Sequence, residues 1–101
     1  MSKYRRHKRK DRNHSEIVRF FRGAGATVDD VSALPDLGYD VIVSYLGQVV
    51  FVELKDGEKP PSQRALTDSE REAQVRHGEK FAVVESISEA KGLLQSIREH
   101  S

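Results

Sequence analysis

Asp40, Glu53 and Lys55 are the residues of this chain whose types and spacing most suggest chemistry. Asp40-Val-Ile-Val-Ser-Tyr45 reads as one β-strand and Gln48-Val-Val-Phe-Val-Glu-Leu-Lys55 as the next, with only Leu46-Gly47 between them. A two-residue loop pairs Tyr45 with Gln48, and counting back along that register sets Asp40 opposite Glu53. A three-residue loop would offset the register. Directly opposed side chains lie roughly 5 Å apart, where like charges repel. Two carboxylates held in that way favour a cation between them, and a hard divalent ion with oxygen ligands suits them. Strand alternation places Lys55 on the face of Glu53 and turns Leu54 to the other.

These residue types match the needs of phosphodiester hydrolysis. That reaction requires charge neutralisation at the phosphate and an activated water. A divalent ion on two carboxylates supplies the first and assists the second. A neighbouring lysine orients the water or stabilises the developing charge. The backbone carbonyl of Leu54 is available as a further oxygen ligand. Glu-x-Lys alone is a common charge pair on exposed strands; here it ends the apolar run Val49-Val-Phe-Val52 with an Asp opposite.

The elements that must position these groups follow from periodicity. A helix is expected from about Asn13 to Arg22, with Ile17, Val18, Phe20, Phe21 and Ala24 on its apolar face. Asn13 and Glu16 have capping-box spacing, and Gly23 and Gly25 end the helix. Thr27 to Val31 reads as a strand and Ser32 to Tyr39 as a loop. The hairpin comes next, its second strand apolar on both faces and so expected at the centre of a covered sheet. Asp56-Gly57 and Pro60-Pro61 break the chain. A polar helix from Thr67 to about His77 opens on the capping pair Thr67 and Glu70. A strand from Phe81 to Glu85 precedes a last helix opened by Ser86 and Glu89, with Ile87, Ala90, Leu93, Leu94 and Ile97 inward. The order αβββαβα, without internal repeat, predicts an α/β domain with a small mixed sheet flanked by helices.

Other polar residues are weaker candidates. Glu16 reads equally as a helix cap or as a holder of a second ion or a ligating water. Pro35-Asp36 reads as a turn, and Asp29 and Asp30 as strand-edge residues. Gln63, Glu70 and Gln74 lie within reach of DNA or a metal-bound water in some arrangements, but read more simply as solvated positions. His7, His14, His77 and His100 show no metal-ligand spacing and read as surface residues. No Ser-His-Asp arrangement, P-loop or dinucleotide fingerprint is present.

The chain of 101 residues has no cysteine, which excludes disulfides, thiolate nucleophiles and cysteine-held zinc. It has no long apolar run and no apolar stretch behind its basic start, so neither a membrane span nor a secretory signal is expected. The net charge of +1 conceals an asymmetry. Residues 1 to 14 carry Lys3, Arg5, Arg6, Lys8, Arg9, Lys10 and Arg12 against Asp11, a balance of +6; the remainder is −5. Residues 1 to 12 are expected to form a flexible basic arm on a single domain of residues 13–101. A basic arm on an acidic body suggests a polyanion such as DNA or RNA.

Gly38-Tyr-Asp40, a strand, a turn and then Phe51-Val-Glu53-Leu-Lys55 resemble the PD-(D/E)xK nuclease superfamily. Within it the chain is similar to stand-alone virus-type replication-repair nuclease (VRR-NUC) domains of the phage kind. Glu16-Ile-Val, Gly25-Ala-Thr27, Leu54-Lys-Asp-Gly57, Lys59-Pro-Pro-Ser62, Leu66-Thr67 and Val83-Val-Glu-Ser86 extend the likeness over residues 12 to 95. The resemblance implies a restriction-endonuclease-like αβββαβ core with an added C-terminal helix. It implies Mg²⁺ or Mn²⁺ on Asp40, Glu53 and the Leu54 carbonyl, with Lys55 assisting the water and Glu16 near the metal. Tyr39 stands where many relatives have proline, which leaves Asp36 as a weak competitor for Asp40. Glu70-Arg71 stands where relatives commonly have glutamine, and Gln74 is one helical turn on.

The expected activity is therefore a metal-dependent DNA endonuclease. Branched, junction or flap substrates and a homodimer are what the resemblance implies. The absence of cysteine is compatible with a cytoplasmic setting, the host cytoplasm for a phage-encoded chain. A non-catalytic nucleic-acid-binding module of the same fold and a ribonuclease are the alternatives.

Overall fold

The computed structural model describes residues 12–100. Its elements are α1 (Arg12–Gly23), β1 (Thr27–Asp30), β2 (Val41–Tyr45), β3 (Gln48–Leu54), α2 (Asp68–His77), β4 (Phe81–Val84) and α3 (Ile87–Glu99). Single 3₁₀ turns at Pro61–Gln63 and Gly78–Lys80 flank α2. The strands form one mixed sheet in the order β1-β2-β3-β4. The first three are antiparallel and β4 runs parallel to β3. Among the described residues this is a small α/β fold of four strands and three α-helices.

Alternation along the strands divides the residues between two faces. Val28, Val41, Val43, Val50, Val52, Leu54 and Val84 are buried together with Ile17 and Phe21 of α1 and Ala90, Leu94 and Ile97 of α3. Each fully buried Ile, Val or Phe among them contributes about 1.5–3 kcal/mol. Phe51 and Glu53 point to the opposite face, where α2 lies. There Phe51 stacks on His77 at 3.9 Å between ring centroids, and Tyr39 packs against Phe51 at 5.1 Å. β3 is central as expected, although Val49 at its start is 41% exposed.

Two backbone features fix the site. Leu46 and Gly47 both have positive φ, 51° and 79°, which is the two-residue I′ turn that suits a twisted hairpin. Tyr45 accordingly pairs with Gln48 and Val41 with Val52. The ladder ends there: the Asp40 N–H bonds the Val52 carbonyl instead of facing Glu53 directly, and the two carboxyl groups are nevertheless neighbours. Gly38, at φ 88°, lets the loop touch α2. A Cβ there would collide with the Ser69 carbonyl oxygen and lie 2.8 Å from the Ala73 Cβ. The chain entering Asp40 is thereby held against the first turns of α2.

Three expectations are corrected. Asn13 does not cap α1 with Glu16, because the helix already includes Arg12. Asn13 Nδ2 instead donates to the Lys55 carbonyl at 2.7 Å, and Glu16 pairs with Arg12 at 3.8 Å. Arg12 thus belongs to the helix and not to the arm. His14 is buried, and its Nε2 lies 3.1 Å from Asp30 Oδ2. The arm residues Lys3, Arg5, Arg6, Lys8, Arg9 and Lys10 lie outside the described residues. The Thr67–Glu70 capping box is present with both of its hydrogen bonds.

Candidate functional site

Asp40 immediately precedes β2. Its backbone N–H donates to the Val52 carbonyl at 2.9 Å, and its Oδ2 accepts the Leu54 N–H at 2.9 Å. The carboxylate thus replaces a backbone partner where the ladder ends, and the bond orients it towards β3. Glu53 is a buried acid, 6% exposed in the penultimate position of β3. Lys55 follows that strand, its N–H held by the Val84 carbonyl of β4 at 3.1 Å. Its Nζ lies 3.6 Å from Glu53 Oε2 and 2.8 Å from Glu70 Oε1. Glu70 comes from the first turn of α2.

The electrostatics follow from this packing. Burial pushes the Glu53 carboxyl up to about 9, with the neighbouring Asp40 charge adding to the rise. Asp40 is also raised by burial, against the hydrogen bond from Leu54. Burial alone would lower Lys55, but its bond to Glu70 and the Glu53 charge outweigh that and hold it above the ordinary lysine value. Burial likewise opposes ionisation of Glu70, and the bonds from Lys55 and the Thr67 N–H overcome it, leaving Glu70 below the usual carboxylate range. Lys55 and Glu70 are therefore an ion pair, and Glu53 keeps its proton at neutral pH. The Lys55 ammonium presents its charge and its N–H donors to Glu53 and Glu70.

Two adjoining carboxyl groups of which one retains its proton make a donor set that a divalent ion would complete. Ligands bind a metal in deprotonated form, so binding would release that proton. Among the described residues no three His, Cys, Asp or Glu side chains converge as a metal cluster. Two carboxylates with water and substrate oxygens nevertheless suit Mg²⁺, which retains several waters and uses one or two carboxylates. Asp40 and Glu53 fit that requirement. Leu54 supplies the backbone between Glu53 and Lys55.

In the metal-free protein the Glu53 proton couples stability to pH. The folded state holds this proton up to about pH 9, whereas the unfolded chain releases it near 4.5. Its contribution to stability is full below that lower value and is lost as pH rises through the window to about 9. Urea denaturation in EDTA at pH 5, 7 and 9 should show wild type losing stability relative to Glu53→Gln. A wild-type advantage that grows with pH would contradict the buried-proton assignment.

The remaining candidates are placed as follows. Glu16 lines a separate cleft of about 710 Å³ with Arg12, Asp56, Glu58, Glu85 and Glu89; Asp40, Glu53 and Lys55 do not line it. Asp36 is exposed in its turn at φ 62°, which supports its turn role. Asp29 is exposed on edge strand β1, and Asp30 is engaged by His14 and Ser32. Gln63 and Gln74 are exposed. His77 is half-buried in the aromatic cluster, and His100 is exposed at the end of α3.

Two members of this neighbourhood escaped the sequence reading. Glu70 read as a solvated cap, yet its side chain is only 12% exposed and contacts Lys55. His14 read as a surface residue, although it precedes Ile17, Val18 and Phe21 by three, four and seven positions, which extends their inward stripe. Its imidazole also favours the Asp40 charge.

Comparison with protein-family models, with curated proteins and with solved structures finds no match. Among the described residues no helix is long and apolar enough to cross a membrane.

Proposed function

We propose that this chain is a metal-dependent deoxyribonuclease of the PD-(D/E)xK kind. The observation that carries the reading is the buried Glu53 beside Asp40, with the Lys55 ammonium at 3.6 Å. A carboxyl kept protonated by burial and by a like-charged neighbour costs stability, and such perturbed groups concentrate at functional sites. The element order αβββαβ agrees with the restriction-endonuclease-like core that the motif implies, with α3 as the added C-terminal helix.

In this reading Asp40 and Glu53 hold Mg²⁺ or Mn²⁺, with the Leu54 carbonyl as a third oxygen. The bound ion would neutralise phosphate charge and lower the pKa of water. Lys55 orients the attacking water and stabilises charge developing on the phosphate. Asp40 is aimed by the Leu54 N–H, so β3 sets the direction of both carboxylates. Glu16 lies in the neighbouring cleft, paired with Arg12.

DNA is the proposed substrate, with branched, junction and flap forms foremost, and a homodimer would set two sites for two strands. The basic arm would hold the phosphate backbone. Arg12, Ser15, Arg19 and Arg22 add a one-sided spacing of three, four and three along α1, and all are exposed. Trimming residues 1–11 should weaken DNA binding and flatten its salt dependence. The double variant Arg19→Ala, Arg22→Ala should lower the slope of log K against log salt by about two. Fluorescence anisotropy across a salt series measures both, and unchanged slopes would remove these residues from the interface.

DNA and RNA oligonucleotides of one sequence, with Mg²⁺ or with EDTA, test the activity. Cleavage of DNA that EDTA abolishes supports the proposal. Cleavage of RNA alone makes the protein a ribonuclease, and binding without cleavage of either makes it a binding module.

A further inference from the structure

We infer that Glu70 is a positioning residue whose carboxylate, tethered to the Thr67 main chain, fixes the Lys55 ammonium beside Glu53. The catalytic consequence of that placement rests on the nuclease reading above. The placement itself rests on geometry. Lys55 Nζ is 2.8 Å from Glu70 Oε1 and 3.6 Å from Glu53 Oε2, and the three side chains are 8–12% exposed. The same Oε1 accepts the Thr67 N–H at 2.9 Å.

A strand fixes the Cα and Cβ of a lysine, but the flexible four-carbon stem leaves its charge free to move. Lys55 needs a second anchor on another element if its ammonium is to have one position. Glu70 is suited to that task because it is restrained at both ends. Its Cα lies in the first turn of α2, and its carboxylate is bound to the residue that caps the same helix. Gly38 in turn lets the chain leading to Asp40 approach that turn. The loop before Asp40, β3 and α2 therefore converge on one ammonium group.

A cap alone does not require the negative charge. Glutamine serves at the third helical position of a capping box as well as glutamate. A neutral amide oxygen, however, makes a weaker bond to an ammonium than a carboxylate does. Glu70→Gln should thus keep the cap and part of the anchor, whereas Glu70→Ala should lose both. Ala73→Gly loosens the same helix without altering Asp40, Glu53, Lys55 or Glu70.

The test compares wild type, Glu70→Gln, Glu70→Ala and Ala73→Gly below their melting temperatures. Steady-state cleavage of DNA with Mg²⁺ gives kcat and KM. Succinimidyl acetate labelling without metal or DNA, followed by peptide mass spectrometry, reports whether Lys55 is accessible. Glu70→Ala should lower kcat roughly tenfold to a hundredfold with little change in KM, as loss of a supporting partner does. Glu70→Gln should lose less, and Ala73→Gly should stay within about twofold of wild type in kcat. Lys55 labelling should rise several-fold in Glu70→Ala and not in Ala73→Gly. A kcat loss in Glu70→Ala no larger than in Ala73→Gly, or unchanged labelling of Lys55, overturns the inference. If wild type cleaves no DNA while labelling still rises in Glu70→Ala, the positioning stands and the nuclease reading falls.

Discussion

Glu53→Gln is expected to abolish metal-dependent cleavage while leaving the fold intact. Loss of a group that supports a metal ligand costs about 10–100-fold, so loss of the ligand itself should exceed about a hundredfold. The amide is isosteric with the protonated carboxyl that occupies this site in the metal-free protein. The variant should therefore melt at the wild-type temperature or above it in EDTA. A ligand that binds only the native state raises stability by mass action. Mn²⁺ should raise the melting temperature of wild type and not that of Glu53→Gln. Thermal melts with and without Mn²⁺, beside a cleavage assay, check both effects. Undiminished cleavage by the variant would remove Glu53 from the site.

Lys55→Ala should be the more damaging change, because it acts on catalysis and on stability together. Removal of one preorganised donor from a site that stabilises developing charge costs about 10²–10³ in kcat. It also leaves the Glu70 carboxylate, 12% exposed, without its cation. Breaking a buried pair from one side costs about 3 kcal/mol. A domain of this size has about 5–15 kcal/mol in hand, so the variant should remain folded at low temperature. Urea denaturation gives the stability loss, and single-turnover cleavage at a temperature where both proteins are folded gives the kinetic one. Lys55→Ala with wild-type turnover would show that the lysine serves only to balance charge.

The central geometry was legible because one short turn determines it. Leu46-Gly47 admits a two-residue loop, and parity then sets the register as far as Val41 and Val52 without knowledge of the rest of the fold. The exact pairing of Asp40 was not legible, because its N–H bonds the Val52 carbonyl and its carboxylate takes the Leu54 N–H. The inward stripes of α1 and α3 were also legible, since Ile17, Val18, Phe21, Leu94 and Ile97 recur at helical spacing and are buried. What escaped depends on contacts between elements distant in sequence. Asn13 and Glu16 have capping spacing, but three residues apart is also one turn inside a helix. The carbonyls of Lys55 and Glu85, 42 and 72 residues away, determine what Asn13 does. Glu70 was hidden behind a correct local assignment. Its capping role is real, and its second partner appears only once the close approach of Gly38 to Ser69 brings α2 over β3. The outward reading of His14 failed differently. The helical stripe already included it, but an imidazole is seldom assigned inward until a partner such as Asp30 is seen.

The most direct measurement is cleavage of labelled four-way-junction, flap, linear duplex and single-stranded DNA by wild type and Glu53→Gln, with Mg²⁺ or Mn²⁺ and with EDTA. Asp40, Glu53 and Lys55 acting as proposed predict cutting by wild type alone, only with metal, and of at least one of these substrates. Equal cutting by Glu53→Gln, cutting that persists in EDTA, or no cutting of any substrate by a folded wild type that still binds DNA would contradict it.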